Sequence, residues 1–342
     1  AGAREVRLRG ERPAFRRAVS EHPAPLSGGD ARELREALAR LDAPLRRLAD
    51  QRAAPSAAEE AEVAGLLGGD GLGARLRLFG AASAQGEVEK RLYTLQEMKD
   101  NGVDPTKLLS PRDESLEAVR SAIRAALAVG GAAMILVLKL SPMVVVLATV
   151  LLLGAAIWDQ VSNGGFLELL LVDSLARAVG TDYRDRVAQH EAGHFLVGYL
   201  FGVVPKAYTL SAWDAFSNCW AFNTQAGTQL CDRAVQQEVE SGKISGKTLD
   251  IIVSLAVAGV VAEYLAFGTA SGGADDMREL EQLFQSLKFD QRRTDVILRS
   301  AVLNTVGLLR RYEQQRSALV GAMVRGAPVS ECIAAIETGS AA

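Results

Sequence analysis

Histidine and cysteine are scarce in this 342-residue chain, which carries three of each. The cysteines, Cys219, Cys231 and Cys332, form no Cys-x-x-Cys pair and are too few for a disulfide framework, so they read as buried or free thiols. An excess of positive charge is missing too: 38 basic residues stand against 41 acidic ones, which excludes the electrostatic footprint of a nucleic-acid binder. No signal-peptide pattern opens the sequence. Residues 1–20 hold many arginines and few acids, compatible equally with the trailing end of an organelle transit peptide and with a solvated arm. With His22, His190 and His194 as the whole supply of imidazole, a two-histidine metal site must use the closely spaced pair or recruit His22 from a distant, Arg-rich segment.

Three regions follow from composition. Residues 1–120 form a polar, helix-rich N-terminal region in which Ala31–Leu38 places leucines among charges at helical spacing. Pro44, Pro55 and the glycines at 68, 69, 71 and 73 cut it into short pieces, and a helix over Val88–Lys99 should end at Asn101-Gly102. Residues 121–160 form a membrane-anchoring segment: from Ala125 to Trp158 nearly every residue is apolar, Lys139, Ser141, Pro142 and Thr149 excepted. One span needs about 20 apolar residues. A lysine at the bilayer centre costs on the order of 3 kcal/mol. That cost favours either a single span from about Met143 to Trp158 or a tight hairpin turning at Lys139–Pro142. Arg120 and Arg124 before the run put its N-terminal side on the cytoplasm-like face; a hairpin, the preferred form, returns the following domain to that face.

Residues 161–342 read as a globular, mainly α domain. A helix from about Tyr183 runs to the stop at Gly202–Pro205, residues 206–232 are the best candidate for a small β element, and Leu249–Phe267 is a long apolar helix. On the first of these helices, His190 and His194 are four residues apart and project side by side, able to share one Zn²⁺. Glu191 sits beside the open coordination position, placed to take a proton from an activated water and deliver it to a leaving amine. Ala192 and Gly193 permit close packing behind the site. This is the HExxH logic of a metallopeptidase.

A catalytic zinc needs a third protein ligand. No histidine lies downstream, so a carboxylate or a thiolate must serve. Asp275-Asp276 stands out because it follows a glycine-bearing loop after an apolar helix, although the pattern alone favours Asp275 as a helix N-cap.

The segment HEAGHFLV (190–197), the stretch Ala258–Gly268 with its Gly-x-x-Ala-Glu and Phe-Gly, and the loop Ser271–Asp276 together resemble the peptidase domain of the FtsH family of membrane-bound zinc proteases. The resemblance covers roughly residues 183–325, under half the chain. It implies a helical, zincin-like fold with Asp276 as third zinc ligand and Asp275 at the preceding, asparagine-like position. Family members unfold substrates with an ATPase module between membrane and peptidase; only about 25 residues separate Trp158 from Tyr183, too few for one. The stretch Ser241–Thr248 has Ser241 where a phosphate loop needs its first glycine and reads as a solvated loop, so ATP is not implied. An FtsH-like domain without its ATPase is similar to a group of chloroplast proteins of plants and algae, and Tyr93–Lys99 and HEAGHFLVGYL look like that group. The implied location is a chloroplast membrane, thylakoid or inner envelope.

Two functions are expected to compete. The first is an ATP-independent, membrane-anchored zinc endopeptidase acting on unfolded or membrane-protein segments. The second is a proteolytically silent scaffold working with partner subunits or as a homo-oligomer. An intramembrane protease of the site-2 type does not fit, because Arg184, Asp185 and Arg186 precede the motif and no Asn-Pro-Asp-Gly segment exists.

Overall fold

The computed structural model describes residues 28–52, 56–67, 72–83, 92–108, 119–123, 125–126, 129–130, 132–133, 139, 141–179, 181–221 and 226–340. His22, the Arg-rich start, Pro55 and glycines 68, 69 and 71 lie outside the described residues. Within them the chain is mainly helical, with one two-stranded sheet.

The leucine spacing near the start forms α1 (Gly28–Leu38), which buries Leu34 and Leu38 as expected. A 3-10 turn, Ala39–Leu41, leads to α2 (Asp42–Ala49), and α3 (Ala57–Leu67) follows. The helix expected over Val88–Lys99 begins later, as α4 (Leu95–Asp100); residues 88–91 lie outside the described set. A capping box sets its start: Thr94 Oγ1 accepts from the Glu97 amide at 3.1 Å, and the Glu97 carboxylate accepts from the Thr94 amide at 2.9 Å. Gly102, at φ +73°, ends that helix, and α5 (Pro105–Leu108) follows.

These N-terminal helices build no separate core. Leu38, Met98 and Leu108 lie in one buried cluster with Phe195, Val257 and Ile333 from the far end of the chain. The buried Glu337 carboxylate adds a polar tie, accepting from the Leu78 amide at 2.9 Å, the Arg77 amide at 3.0 Å and the Tyr199 hydroxyl at 2.7 Å.

The described residues on either side of the apolar run pack against each other. Val119 and Ile123, just before it, pack against Val172 and Ala176, just after it, and Arg120 pairs with Glu168 at 3.3 Å. Its second half is α6 (Pro142–Ser162), N-capped by Ser141. At 1.5 Å per residue α6 is about 32 Å long, against about 30 Å of bilayer hydrocarbon. Two described helices are long and apolar enough to cross a membrane, and they use that character differently. Almost every apolar side chain of α6 is exposed, whereas the second helix buries most of its own inside the protein.

Past the corner Asn163–Gly165 come α7 (Phe166–Val179) and α8 (Thr181–Phe201), the latter bearing the histidine pair and stopped by Gly202 at φ +84°. The expected β element is an antiparallel pair, β1 (Val204–Thr209) and β2 (Gly227–Cys231), with Val204 opposite Cys231, Thr209 opposite Gly227 and an irregularity between Pro205 and Ala207. Helix α9 (Ala212–Cys219) sits between the strands in sequence. Then come α10 (Arg233–Ser241), α11 (Gly246–Phe267), α12 (Ala274–Ser286), α13 (Gln291–Arg311), α14 (Glu313–Val324) and α15 (Val329–Thr338). Helix α11 is the second membrane-length helix. It lies under α8 with Val253, Val257, Ala258 and Val261 fully buried, each valine contributing about 1.5–3 kcal/mol relative to exposure.

Candidate metal centre

Helices α8 and α11 cross where their side chains are smallest. A Cβ on Gly193 would meet the Ala258 carbonyl oxygen at 2.6 Å, and one on Gly259 would collide with the His190 ring. The close packing expected behind the motif is thus present, and it presses α11 against the His190 ring at its Nε2 end. The loop Gly268–Gly273 then turns the chain so that α12 aims its first turn at the same spot.

Three side-chain atoms converge there. His194 Nε2 lies 2.9 Å from His190 Nε2, and Asp276 Oδ2 lies 3.1 Å from His190 Nε2 and 3.5 Å from His194 Nε2. Among the described residues this trio is the group of histidine, cysteine, aspartate or glutamate side chains able to hold a metal ion. Tetrahedral zinc with bonds of 2.0–2.1 Å sets its ligand atoms about 3.4 Å apart. The three edges bracket that length, so the donor set fits zinc with one position left over.

The opposite ring nitrogens show why a cation is wanted. His190 Nδ1 faces Glu263 Oε1 at 2.8 Å, and His194 Nδ1 faces the Leu255 carbonyl at 3.0 Å. A carboxylate and a carbonyl only accept, so each Nδ1 carries the hydrogen and donates it. In neutral rings both Nε2 lone pairs then point at one another and at a carboxylate oxygen, an arrangement that needs a proton or a metal ion between them.

The charges respond accordingly. Burial by itself lowers the His190 pKa, but the hydrogen bonds to Asp276 and Glu263 outweigh it and push the ring up to about 10. Burial also works against the Asp276 carboxylate, yet the charge of His194 and the hydrogen bond from His190 hold its pKa far below the usual range. Glu263 follows the same pattern, lowered against its burial by the hydrogen bond from His190.

Glu191, beside the cluster on α8, is buried, and burial pushes its carboxyl up while the charges of His190 and His194 pull it down. Its Oε2 accepts from Thr228 Oγ1 at 2.9 Å, which ties the carboxylate to β2. Of the two aspartates, the structure brings in only Asp276. The expected N-cap role of Asp275 is a correction: Gly273, at φ +89°, occupies that position, and Asp275 points outward to Arg278 at 2.7 Å. With Gly273 in the left-handed region as the cap, the helix begins at Ala274, two residues earlier than an Asp275 cap would allow.

Sequence reasoning missed three participants. Glu263 orients His190 and also receives the Ser271 amide at 3.0 Å and the Gly272 amide at 3.2 Å, so one carboxylate fixes both the first histidine and the loop that leads to Asp276. Arg186 lies 3.6 Å from Glu263, donates to the Thr269 carbonyl at 3.1 Å and stacks over Phe267. Thr228 is the last. Glu263 stood inside the Gly-x-x-Ala-Glu stretch and its position there was the available signal; an isolated threonine on a short strand offered none. The phosphate-loop-like stretch Ser241–Thr248 follows helix α10, not a strand, and joins it to α11.

Compared with models of known protein families, with curated proteins and with solved structures, the chain matches none. The chemistry of the site is carried by its own geometry.

Proposed function

We propose that the chain is a membrane-anchored, ATP-independent zinc metalloendopeptidase with a zincin-like, FtsH-like peptidase domain. The observation that carries this reading is the convergence of His190 Nε2, His194 Nε2 and Asp276 Oδ2 next to the buried carboxylate of Glu191. Zinc, when bound, supplies Lewis acidity toward a peptide carbonyl and lowers the pKa of water. Glu191 then serves as general base toward water and as general acid toward the leaving amine, a role that suits a carboxyl raised by burial and steadied by Thr228. Glu263 and the Leu255 carbonyl hold the two imidazoles in the tautomer that presents Nε2.

The anchor is read as a helical hairpin. Residues on both sides of the apolar run share one core, so the run begins and ends on one side of the bilayer and crosses it an even number of times. A turn at Lys139–Pro142 puts the lysine at the far headgroups, which removes the cost of a charge at mid-bilayer; Lys139 has the turn conformation this needs, at φ +48°. Substrates are unfolded or flexible protein segments whose peptide bonds are already accessible. The resemblance to the plastid group suggests work in quality control or development at a thylakoid or inner-envelope membrane.

One observation favours a second reading, a silent scaffold for partner subunits: α6 leads through α7 straight to α8, with no room for an unfolding module. Zinc content and casein cleavage of the purified full chain in detergent, native against Glu191→Gln, separate the two. About one zinc with cleavage that drops at least 10²-fold in the variant fits the enzyme. Zinc without cleavage fits the scaffold, and no zinc removes the metal site.

A further inference from the structure

Helix α7 carries a leucine stripe that the fold leaves uncovered. Leu167, Leu171 and Leu175 are four apart, hence on one face, and their exposures are 54%, 58% and 41%. The opposite face is fixed to the body. Val172 and Ala176 are buried, and the buried Asp173 carboxylate accepts from the Tyr183 hydroxyl at 2.9 Å and the Ala212 amide at 3.0 Å. The stripe therefore points away from the protein as a fixed feature.

Its location says what covers it. Only Asn163, Gly164 and Gly165 separate α7 from the exposed apolar helix α6. That corner is locked: the buried Asp159 carboxylate, in the last turns of α6, accepts from the Leu167 amide at 2.8 Å and from Asn163 Nδ2 at 3.1 Å. A helix that starts within one turn of a span's end starts at the headgroups. Aromatic residues mark the same level, as interfacial tryptophans do. Trp158, near the end of α6, is exposed, and so is Trp213, which packs on Phe216, itself in tilted contact with Phe166 at the head of α7.

We propose that α7 lies in the bilayer interface with Leu167, Leu171 and Leu175 inserted among the lipids, holding the metal centre at a short, fixed distance from the membrane surface. The proposal rests on the membrane reading of α6 and deepens it. Helix α8 begins one residue after α7, and His190 stands nine residues into α8, about 14 Å along its axis. The peptide bonds within reach are then those of flexible segments close to the bilayer, the juxtamembrane tails and loops of integral membrane proteins.

Nitroxide labels test this on the full chain in phosphatidylcholine–phosphatidylglycerol vesicles. The background is Cys231→Ser, in which Cys219 and Cys332 are buried. The label goes in turn at Leu171→Cys, at Leu152→Cys in α6 and at the exposed Lys243→Cys; a melting curve matching the parent certifies each fold. The expected result is preferential collision with oxygen over a water-soluble nickel chelate at 171, as at 152 and several-fold above 243. A water profile at 171 beside a lipid profile at 152 overturns the surface helix and leaves the anchor standing. Water profiles at both remove the anchor and the inference with it. A label at 171 shielded from both reagents marks a protein contact and overturns the lipid assignment.

Discussion

Glu263 Oε1 lies 2.8 Å from His190 Nδ1, and the same carboxylate gathers the Ser271 and Gly272 amides of the loop that leads to Asp276. One side chain outside the trio therefore sets the position of two of its three members, His190 and Asp276. Replacing such an outer partner typically costs 10–100-fold in metal affinity. Glu263→Gln is expected to fold and to lose zinc affinity by about that factor, measured by competition with a chromophoric chelator. An unchanged affinity would show that the loop holds itself.

The two neighbouring aspartates should behave oppositely. Asp276 faces both imidazoles, whereas Asp275 is exposed and pairs with Arg278. Asp276→Ala should reduce bound zinc from about one equivalent to a small fraction, since three ligands become two. Asp275→Ala should keep it. Metal analysis after gel filtration decides, and equal losses would contradict the assignment.

Metal uptake should release a proton. The metal-free site holds His190 at about 10, raised from 6.5, so the ring is protonated at neutral pH. A raised histidine pKa stabilises the metal-free fold fully below about pH 6.5, and that contribution fades as pH climbs toward 10. Zinc needs the bare nitrogen, so its affinity moves the other way, rising about tenfold per pH unit between about pH 7 and 9. Titration calorimetry in buffers of different ionisation enthalpy should find about one proton released per zinc at pH 7.

Lys139 and the body of the protein should label from opposite sides. In sealed vesicles with a Cys231→Ser background, an impermeant maleimide should reach Lys139→Cys from one face and Lys243→Cys only from the other. Labelling of both from the same face would contradict the hairpin.

Much of the site could be read directly from the chain because it is local. His190, Glu191 and His194 sit within five residues, and the helical repeat alone places the two rings together. The helices around Leu34 and Leu38, the stop at Gly202 and the β element between 206 and 232 likewise follow from short-range periodicity and punctuation. The choice between Asp275 and Asp276 is different in kind. It turns on where α12 begins, and Gly273 decides that through a backbone angle that neighbouring residues do not announce.

The sequence by itself determined the side-by-side histidines with Glu191 between them, the apolar run and the long helices through 190 and 257, because each depends on residues adjacent in the chain or one helical turn apart. Only the tertiary structure decided that Glu263 orients His190 across 73 positions, that Thr228 steadies Glu191, and that Leu38 and Ile333 share one core. Tertiary packing likewise brings the two ends of the apolar run together, Val119 and Ile123 lying against Val172 and Ala176. Such pairings come from how α8, α11 and the strands pack, and packing depends on the shape of the whole interior, which no local pattern contains.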